Sequence, residues 1–222
     1  MKVGIYGCSF THGVIATEDV GWPTEYAKRN PGAVIHDYSI PGSSLEYSVL
    51  MLEKYHKTYD INIFQVTFPN RITFALNEDM DYQKELVYCE DKLISKLPRK
   101  TQRQLFEFHD VHHKHPAIVE YVARRTKSAS KLEHLALIEF AKRYADLVFG
   151  AWHYHNSSYY DETEAHQIPY LCDNWDADFR KSIKADYNEE NGPGHFNQYG
   201  REAVAKWVDK TLRQKYNAKE AH

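Results

Sequence analysis

The sequence predicts an α/β fold, a three-layer αβα arrangement around a central parallel sheet. Three observations predict it. Short apolar runs at 2–7, 33–39 and 60–68 alternate with segments of helical character at 22–32 and 45–58. Strands separated by helices in this way are joined by right-handed crossovers into a parallel sheet. Near the carboxyl terminus, Ala203, Val204, Trp207, Val208 and Leu212 form one helical stripe, so a helix over 198–215 should pack on that sheet. The opening stretch "MKVGIYGCSFTHG" ends its apolar run in Gly7 and small polar residues. It raises a question of chemistry: whether Ser9 only turns the chain or stands as a nucleophile at the lip of the sheet.

The elements follow in order. After the first strand, "WPTEYAKRNPG" is a short helix, with Pro23 in its first turn and Asn30-Pro31-Gly32 as its stop. "AVIHDYS" is the second strand. Ser44 then caps a helix over 45–58 in which Leu45, Val49, Leu52 and Tyr55 share a face. "DINIFQVTF" is the third strand, bounded by Pro69-Asn70. Between about 77 and 145 the pattern reads as helix only, in "DYQKELVYCEDKLISKL", "RQLFEFHDVHH", "PAIVEYVARR" and "SKLEHLALIEFAKRYA". This reads as a helical insertion covering one end of the sheet, inside a single domain spanning 1–222. "DLVFGAW" (146–152) is a fourth strand, "QIPYLC" (167–172) a candidate fifth, and the tail "NAKEAH" should fray.

Composition narrows the function classes. The chain's 222 residues give room for one α/β domain carrying an insertion. With 28 Lys and Arg against 31 Asp and Glu, no global field draws it to nucleic acid or to a membrane surface. It has no P-loop, no GxGxxG after a strand and no nucleic-acid module signature. Cys8, Cys89 and Cys172 are odd in number and widely spaced, which fits a reducing compartment better than a disulfide framework. No segment approaches the roughly 18 uninterrupted apolar residues that a bilayer span needs. The expectation is a soluble protein made in the cytoplasm, with no membrane partner and no cofactor. Seventeen tyrosines and 13 histidines suit either polar, ring-bearing ligands such as sugars or a Tyr-rich core.

In an open parallel sheet, ligands sit beyond the carboxyl ends of the strands. Here the first strand ends at Gly7-Cys8-Ser9, the second runs into Pro41-Gly42-Ser43, and the third into Thr67-Phe68-Pro69-Asn70-Arg71. A fourth segment, "GPGHFNQYG" (192–200), enters the last helix with His195 near its start. The topology would bring all four to one sheet edge.

These residues carry a family resemblance. "YGCSFTHG" is similar to the first block of the SGNH (GDSL-like) hydrolases, Gly-Asp-Ser-Phe/Leu-Thr-x-Gly at the end of the first strand. "SIPGSS" resembles their second block, "DINIFQVTFPN" their third and "GHFNQYGREAVAKWV" their fifth. The resemblance covers 1–75 and about 190–212. It implies the flavodoxin-like SGNH fold and acyl transfer at a serine.

The resemblance makes Ser9 the nucleophile and His195 its general base. It makes the oxyanion hole out of the backbone N–H groups of Ser9 and Gly42 and the side-chain amide of Asn70, with Thr67 as rival. Gly42 suits its role, because without a Cβ its N–H can approach a substrate oxygen closely. The chain departs from the family pattern in three places. Cys8 replaces the aspartate before the serine. Phe68 replaces the glycine two residues before the asparagine, and aligning from the strand start puts Pro69 on the asparagine position. Gly192 replaces the acid three residues before the histidine. Glu190, Glu189 or Asn191 then substitutes for that acid by another loop path, or the site works as a Ser-His dyad or as a poor catalyst.

The substrate so implied is a small ester, acetyl or similar, on a carbohydrate or lipid. The segment "WHYHNSSYY" after the fourth strand offers Trp152, His153, Tyr154 and His155 as a substrate wall or as a solvated aromatic loop. His109, His112 and His113 share a helical face with His115 beyond it, yet no HExxH arrangement accompanies them, so a polar face is the reading and no metal is assigned. "ARRTK" (123–127) reads as a solvated helix end. The alternative function is a non-catalytic or weakly catalytic carbohydrate-binding or structural module of the same fold. The Gly-Cys-Ser-Phe-Thr form of the first block is similar to that of proteins encoded by environmental bacteria and their phages, which would allow a place in a virion.

Overall fold

Val3 and Ile5 alternate with Gly4 and Tyr6 along the first strand, and that alternation divides the molecule into two cores. The computed structural model describes residues 1–12, 21–40, 43–67, 73–75, 86–88, 127–150, 168–169, 171, 196 and 198–220. Within them, β1 (Lys2–Tyr6), β2 (Val34–Asp37), β3 (Ile61–Val66) and β6 (Leu147–Gly150) form a sheet in the order β2-β1-β3-β6. Every pair is parallel: Val3 lies opposite Ile35 and Ile61, and Ile63 opposite Leu147.

Successive side chains on a strand point to opposite faces. Val3, Ile5, Ile61, Ile63, Leu147 and Phe149 face one way, against Trp22 and Tyr26 of α2 (Trp22–Arg29) and Val204, Ala205, Val208 and Leu212 of α5 (Gln198–Glu220). Tyr6, Phe64, Val66 and Val148 face the other way, against Leu45, Met51 and Leu52 of α3 (Leu45–Tyr55) and Ile138 and Ala141 of α4 (Lys127–Tyr144). The result is the three-layer αβα sandwich that the sequence predicts. β3, covered on both sides, is buried at all six positions, whereas Val34 on the edge strand β2 is more than half exposed.

Local chemistry sets the helix bounds. Gly21, extended at φ −76°, precedes α2, with Pro23 in its first turn; Asn30 ends it by donating from its backbone and its side-chain amide to carbonyls of the last turn. Ser44 caps α3 by accepting from the Tyr47 N–H at 3.2 Å. The helix predicted over 45–58 is α through Tyr55 and closes in a 3₁₀ turn at His56–Thr58.

Three expectations are corrected. The stretch 77–145 is not helix only: β5 (Leu86–Tyr88) pairs antiparallel with β4 (Thr73–Ala75) in a separate two-stranded sheet. A short apolar run such as Leu86-Val87-Tyr88 fits either period, and pairing with another strand decides it. At the end of the same stretch, α4 does not cap the sheet. It packs beside α3 on one face and leads into β6 as an ordinary crossover helix. In 167–172, Ile168, Pro169 and Leu171 are not strand; Pro169 has no N–H to give a ladder, but its carbonyl accepts from the Gly150 N–H at 3.0 Å. The tail is helical to Glu220, because Tyr216 packs on the α2/α5 core and Lys215 reaches the Asp146 carbonyl.

Among the described tyrosines, Tyr6, Tyr26, Tyr47 and Tyr59 are buried in the core. Tyr38 stacks on Tyr6 and Tyr55 at centroid distances of 5.4 and 4.6 Å, and its hydroxyl meets that of Tyr59, which lies 2.7 Å from His36 Nδ1. Gly4 makes room for this cluster: a Cβ there would come within 2.6 Å of the Tyr59 ring and 2.7 Å of the Tyr6 hydroxyl. No described helix is long and apolar enough to cross a membrane.

Burial pushes the Tyr26 phenol up to about 12 and raises those of Tyr6 and Tyr38 well above the ordinary value, with help from neighbouring tyrosines. A phenol whose pKa rises on folding contributes stability that is complete below about pH 10 and is lost as pH climbs through the folded-state value. Thermal melts should therefore hold steady up to about pH 10 and fall steadily toward pH 12, and Tyr26→Phe should remove part of that fall.

Candidate active site

The carboxyl ends of β1 and β3 meet the start of α3 in a web of buried polar contacts. Directly after β1, Gly7 and Cys8 lead into α1 (Ser9–His12), a single turn in which the Cys8 carbonyl accepts from the Thr11 and His12 N–H groups at 2.9 and 3.0 Å. Its position is fixed from both faces of the sheet. On the α2/α5 face, Thr11 Oγ1 donates to Gln65 Oε1 at 2.7 Å, and the Trp22 indole N–H donates to the same oxygen at 2.9 Å. On the other face, the Ser43 and Ser48 hydroxyls both donate to the Gly7 carbonyl, at 2.9 and 3.3 Å. Thr67 Oγ1, at the end of β3, donates to the Ser43 carbonyl at 3.3 Å.

Gly7 is required here. A Cβ on it would lie 2.1 Å from Thr11 Oγ1 and 3.3 Å from Gln65 Cβ, so no other residue lets α1 fold back over β3. Among the described residues, Gln65 Nε2 is buried without a partner. The Trp22 N–H can only donate, which fixes the amide oxygen toward it and leaves the NH₂ group unsatisfied. Such a group lowers stability by roughly 1–3 kcal/mol.

Ser9 opens α1 at 5 % exposure, and among the described residues its hydroxyl has no hydrogen-bond partner. The next residue, Phe10, packs edge-on against Phe196 with ring centroids 5.8 Å apart. Phe196 is buried against the α2/α5 core just ahead of α5. Gln198, the first residue of α5, donates to Glu25 of α2 at 3.2 Å. Burial alone would raise the Glu25 carboxyl, but its bonds to Lys28 and Gln198 outweigh this and hold it below the ordinary carboxylate range. So the segments that follow Ser9 and His195 in sequence touch.

Of the predicted site residues, Ser9 and Thr67 are described. The hydroxyl of Thr67 donates to the Ser43 carbonyl, which gives it a part in pinning the loops. Gly42, Asn70, Trp152, His153, Tyr154, His155, Glu189, Glu190, Asn191 and His195 lie outside the described residues, as do His109, His112, His113 and His115. Among the described residues no group of three His, Cys, Asp or Glu side chains is placed to hold a metal ion. Cys8 is a fully buried free thiol.

No protein-family profile matches the chain, and no curated protein matches it. Solved structures similar to it include ones described as lipases and acylhydrolases. A lipase/acylhydrolase from Enterococcus faecalis shares 12% identity over 97% of this chain and 96% of its own, with a TM-score of 0.47. A lipolytic protein of the G-D-S-L family from Veillonella parvula shares 12% over 95% and 97%, with a TM-score of 0.44. A GDSL-like lipase from Bacteroides thetaiotaomicron shares 9% over 96% and 88%, also at 0.44. Likenesses of this size assign no role to any residue.

Sequence reasoning missed Gln65, Thr11 and Trp22 as the support of the Ser9 turn. One signal was available: Gln65 is a lone polar side chain on the inward period of an apolar strand, where burial demands a partner. Gln65→Leu takes the acceptor from two buried donors and should destabilise the fold by about 2–4 kcal/mol in urea unfolding. Thr11→Val, which leaves the Trp22 bond in place, should cost only about 1 kcal/mol.

Proposed function

We propose that the chain is a serine hydrolase of carboxylic esters, with Ser9 as nucleophile and His195 as general base. The observation that carries the reading is the Phe10–Phe196 contact, since each ring belongs to the residue bonded directly to one member of the pair. Neighbouring Cα atoms are about 3.8 Å apart, so the contact joins the residues next to Ser9 and His195 in the chain. The strand order adds support. The chain leaves β1 toward β2 and then crosses back to β3 on the other side, so the carboxyl end of β1 is the topological switch point, where open α/β sheets bind their ligands.

In this mechanism the Ser9 hydroxyl attacks the acyl carbon while His195 takes its proton. The tetrahedral oxyanion is met by the N–H groups of Ser9 and Gly42 and by the Asn70 amide. As the bond to the alcohol breaks, His195 returns the proton to the departing oxygen, and water then releases the acyl group from Ser9 by the same steps. With Gly192 at the position of the usual acid, Glu190 or a neighbour orients the imidazole, or Ser9 and His195 act as a dyad. The preferred substrate is a small acyl group on a carbohydrate or lipid alcohol.

Short-chain nitrophenyl esters test this directly. Wild type should turn them over and accept a fluorophosphonate label, while Ser9→Ala and His195→Ala each lower kcat by at least about a thousandfold. If wild type and Ser9→Ala are equally inert at every chain length and no label attaches, the chain is a binding module and not an enzyme. Phe10→Ala and Phe196→Ala should each lower kcat about ten- to a hundredfold, with the double variant no worse than the poorer single one, because both loosen the same approach.

A further inference from the structure

A cleft of about 380 Å³ opens one turn along α1 from Ser9, between the first half of α2 and the edge strand β2. Its walls are of two kinds. Pro23, Ala27 and Ile35 supply apolar surface, and His12, Thr24 and Asp37 supply polar groups. Ile35 and Asp37 stand two apart on β2 and so share a face, which places the carboxylate at the end of the sheet where Ser9 also lies.

Asp37 is held in place and still within reach of a ligand. Its Oδ1 accepts from the Ser39 N–H at 2.8 Å and from the Ser39 hydroxyl, while Oδ2 lies 3.4 Å from His12 Nδ1. The two side chains are 23 % and 33 % exposed, so the pair lines the cleft instead of being sealed beneath it. The carboxylate disfavours an anion, and among the described lining residues none offers the aromatic cage that an alkylammonium prefers. An imidazole and a hydroxyl beside a fixed carboxylate offer both donors and acceptors over a short span, opposite a surface suited to C–H groups. The volume is at the lower end of the roughly 300–1,000 Å³ typical of small-molecule sites, which suits one ring.

We propose that this cleft binds a neutral polyol ring, with Asp37 and His12 as its hydrogen-bonding anchor and Pro23, Ala27 and Ile35 under its C–H face. Its place as the seat of the substrate's alcohol half rests on the hydrolase reading above; the binding itself does not. The ring would sit one helical turn from the nucleophile, and an acyl substituent on it would extend toward Ser9.

The test uses full-length Ser9→Ala, which binds without turnover, titrated by NMR with methyl glucoside, N-acetylglucosamine, myo-inositol and, as a cationic control, choline. At least one neutral polyol should bind, shifting resonances of Thr24 and Asp37. Asp37→Asn, which keeps an oxygen for Ser39, and Ala27→Leu, which fills the cleft from a half-exposed helix position, should each weaken binding at least about tenfold. An unchanged melting temperature would show that both variants fold. Failure of every polyol to bind, binding that survives both substitutions, or preferential binding of choline overturns the proposal. In a second arm with active protein, Ala27→Leu should raise KM for an acetylated methyl glucoside about tenfold. Polyol binding without that KM effect removes the cleft from the substrate path. Absence of any esterase activity overturns the hydrolase reading, and with it the alcohol seat, and leaves the first arm to decide whether the cleft binds a polyol.

Discussion

Everything at the carboxyl edge depends on the turn after β1 being held from both faces of the sheet at once. Thr11 bonds to Gln65 on one side, and the Gly7 carbonyl takes two serine hydroxyls on the other. Because β3 is buried at every position, Gln65 has no water to turn to and must bond within the protein. That makes the Thr11 and Trp22 bonds far more costly to break than to keep, and α1 inherits the rigidity of the central strand. Ser9 is thereby held by its neighbours, with its own hydroxyl uncommitted among the described residues.

The same construction explains why the loops converge. Ser43 joins the Gly7 carbonyl through its hydroxyl and Thr67 through its carbonyl, so one residue ties the ends of β1 and β3 to the entry of α3. Ser44 beside it caps that helix. Two adjacent serines thus set both where α3 begins and how closely its entry approaches Ser9. On the opposite side, the Phe10–Phe196 contact and the Gln198–Glu25 bond bring the start of α5 to the same place.

What was legible in the sequence was whatever depends on local periodicity and capping. The buried strands, the Ser44 cap, the Asn30 stop and the Val204–Val208–Leu212 stripe all follow from spacing alone. The β4–β5 pair was not legible, because three apolar residues in a row satisfy either period and only a partner elsewhere decides between them. The role of α4 was hidden for a related reason: its stripe says that it packs, and the sheet order says on what. Within the site, the residue types of the four blocks were readable, while the pins between them were not. Thr11 and Gln65 are 54 positions apart, and nothing local couples them. The tyrosines are a similar case. Their number fits a ligand surface or a core equally, and the packing against Gly4 assigns Tyr6 and Tyr59 to the core, with half-buried Tyr38 stacked on Tyr6 and Tyr55 at its edge.

At Cys8, directly before Ser9, the geometry accounts for a small neutral side chain. The turn at Ser9 is closed by the Cys8 backbone carbonyl alone, so the side chain at that position adds no hydrogen bond to it. The position is fully buried at the end of a strand, where a thiol behaves as a small hydrophobe and a carboxylate would require a paired donor. The loop is held by neutral hydroxyls, those of Ser43 and Ser48, donating to the Gly7 carbonyl.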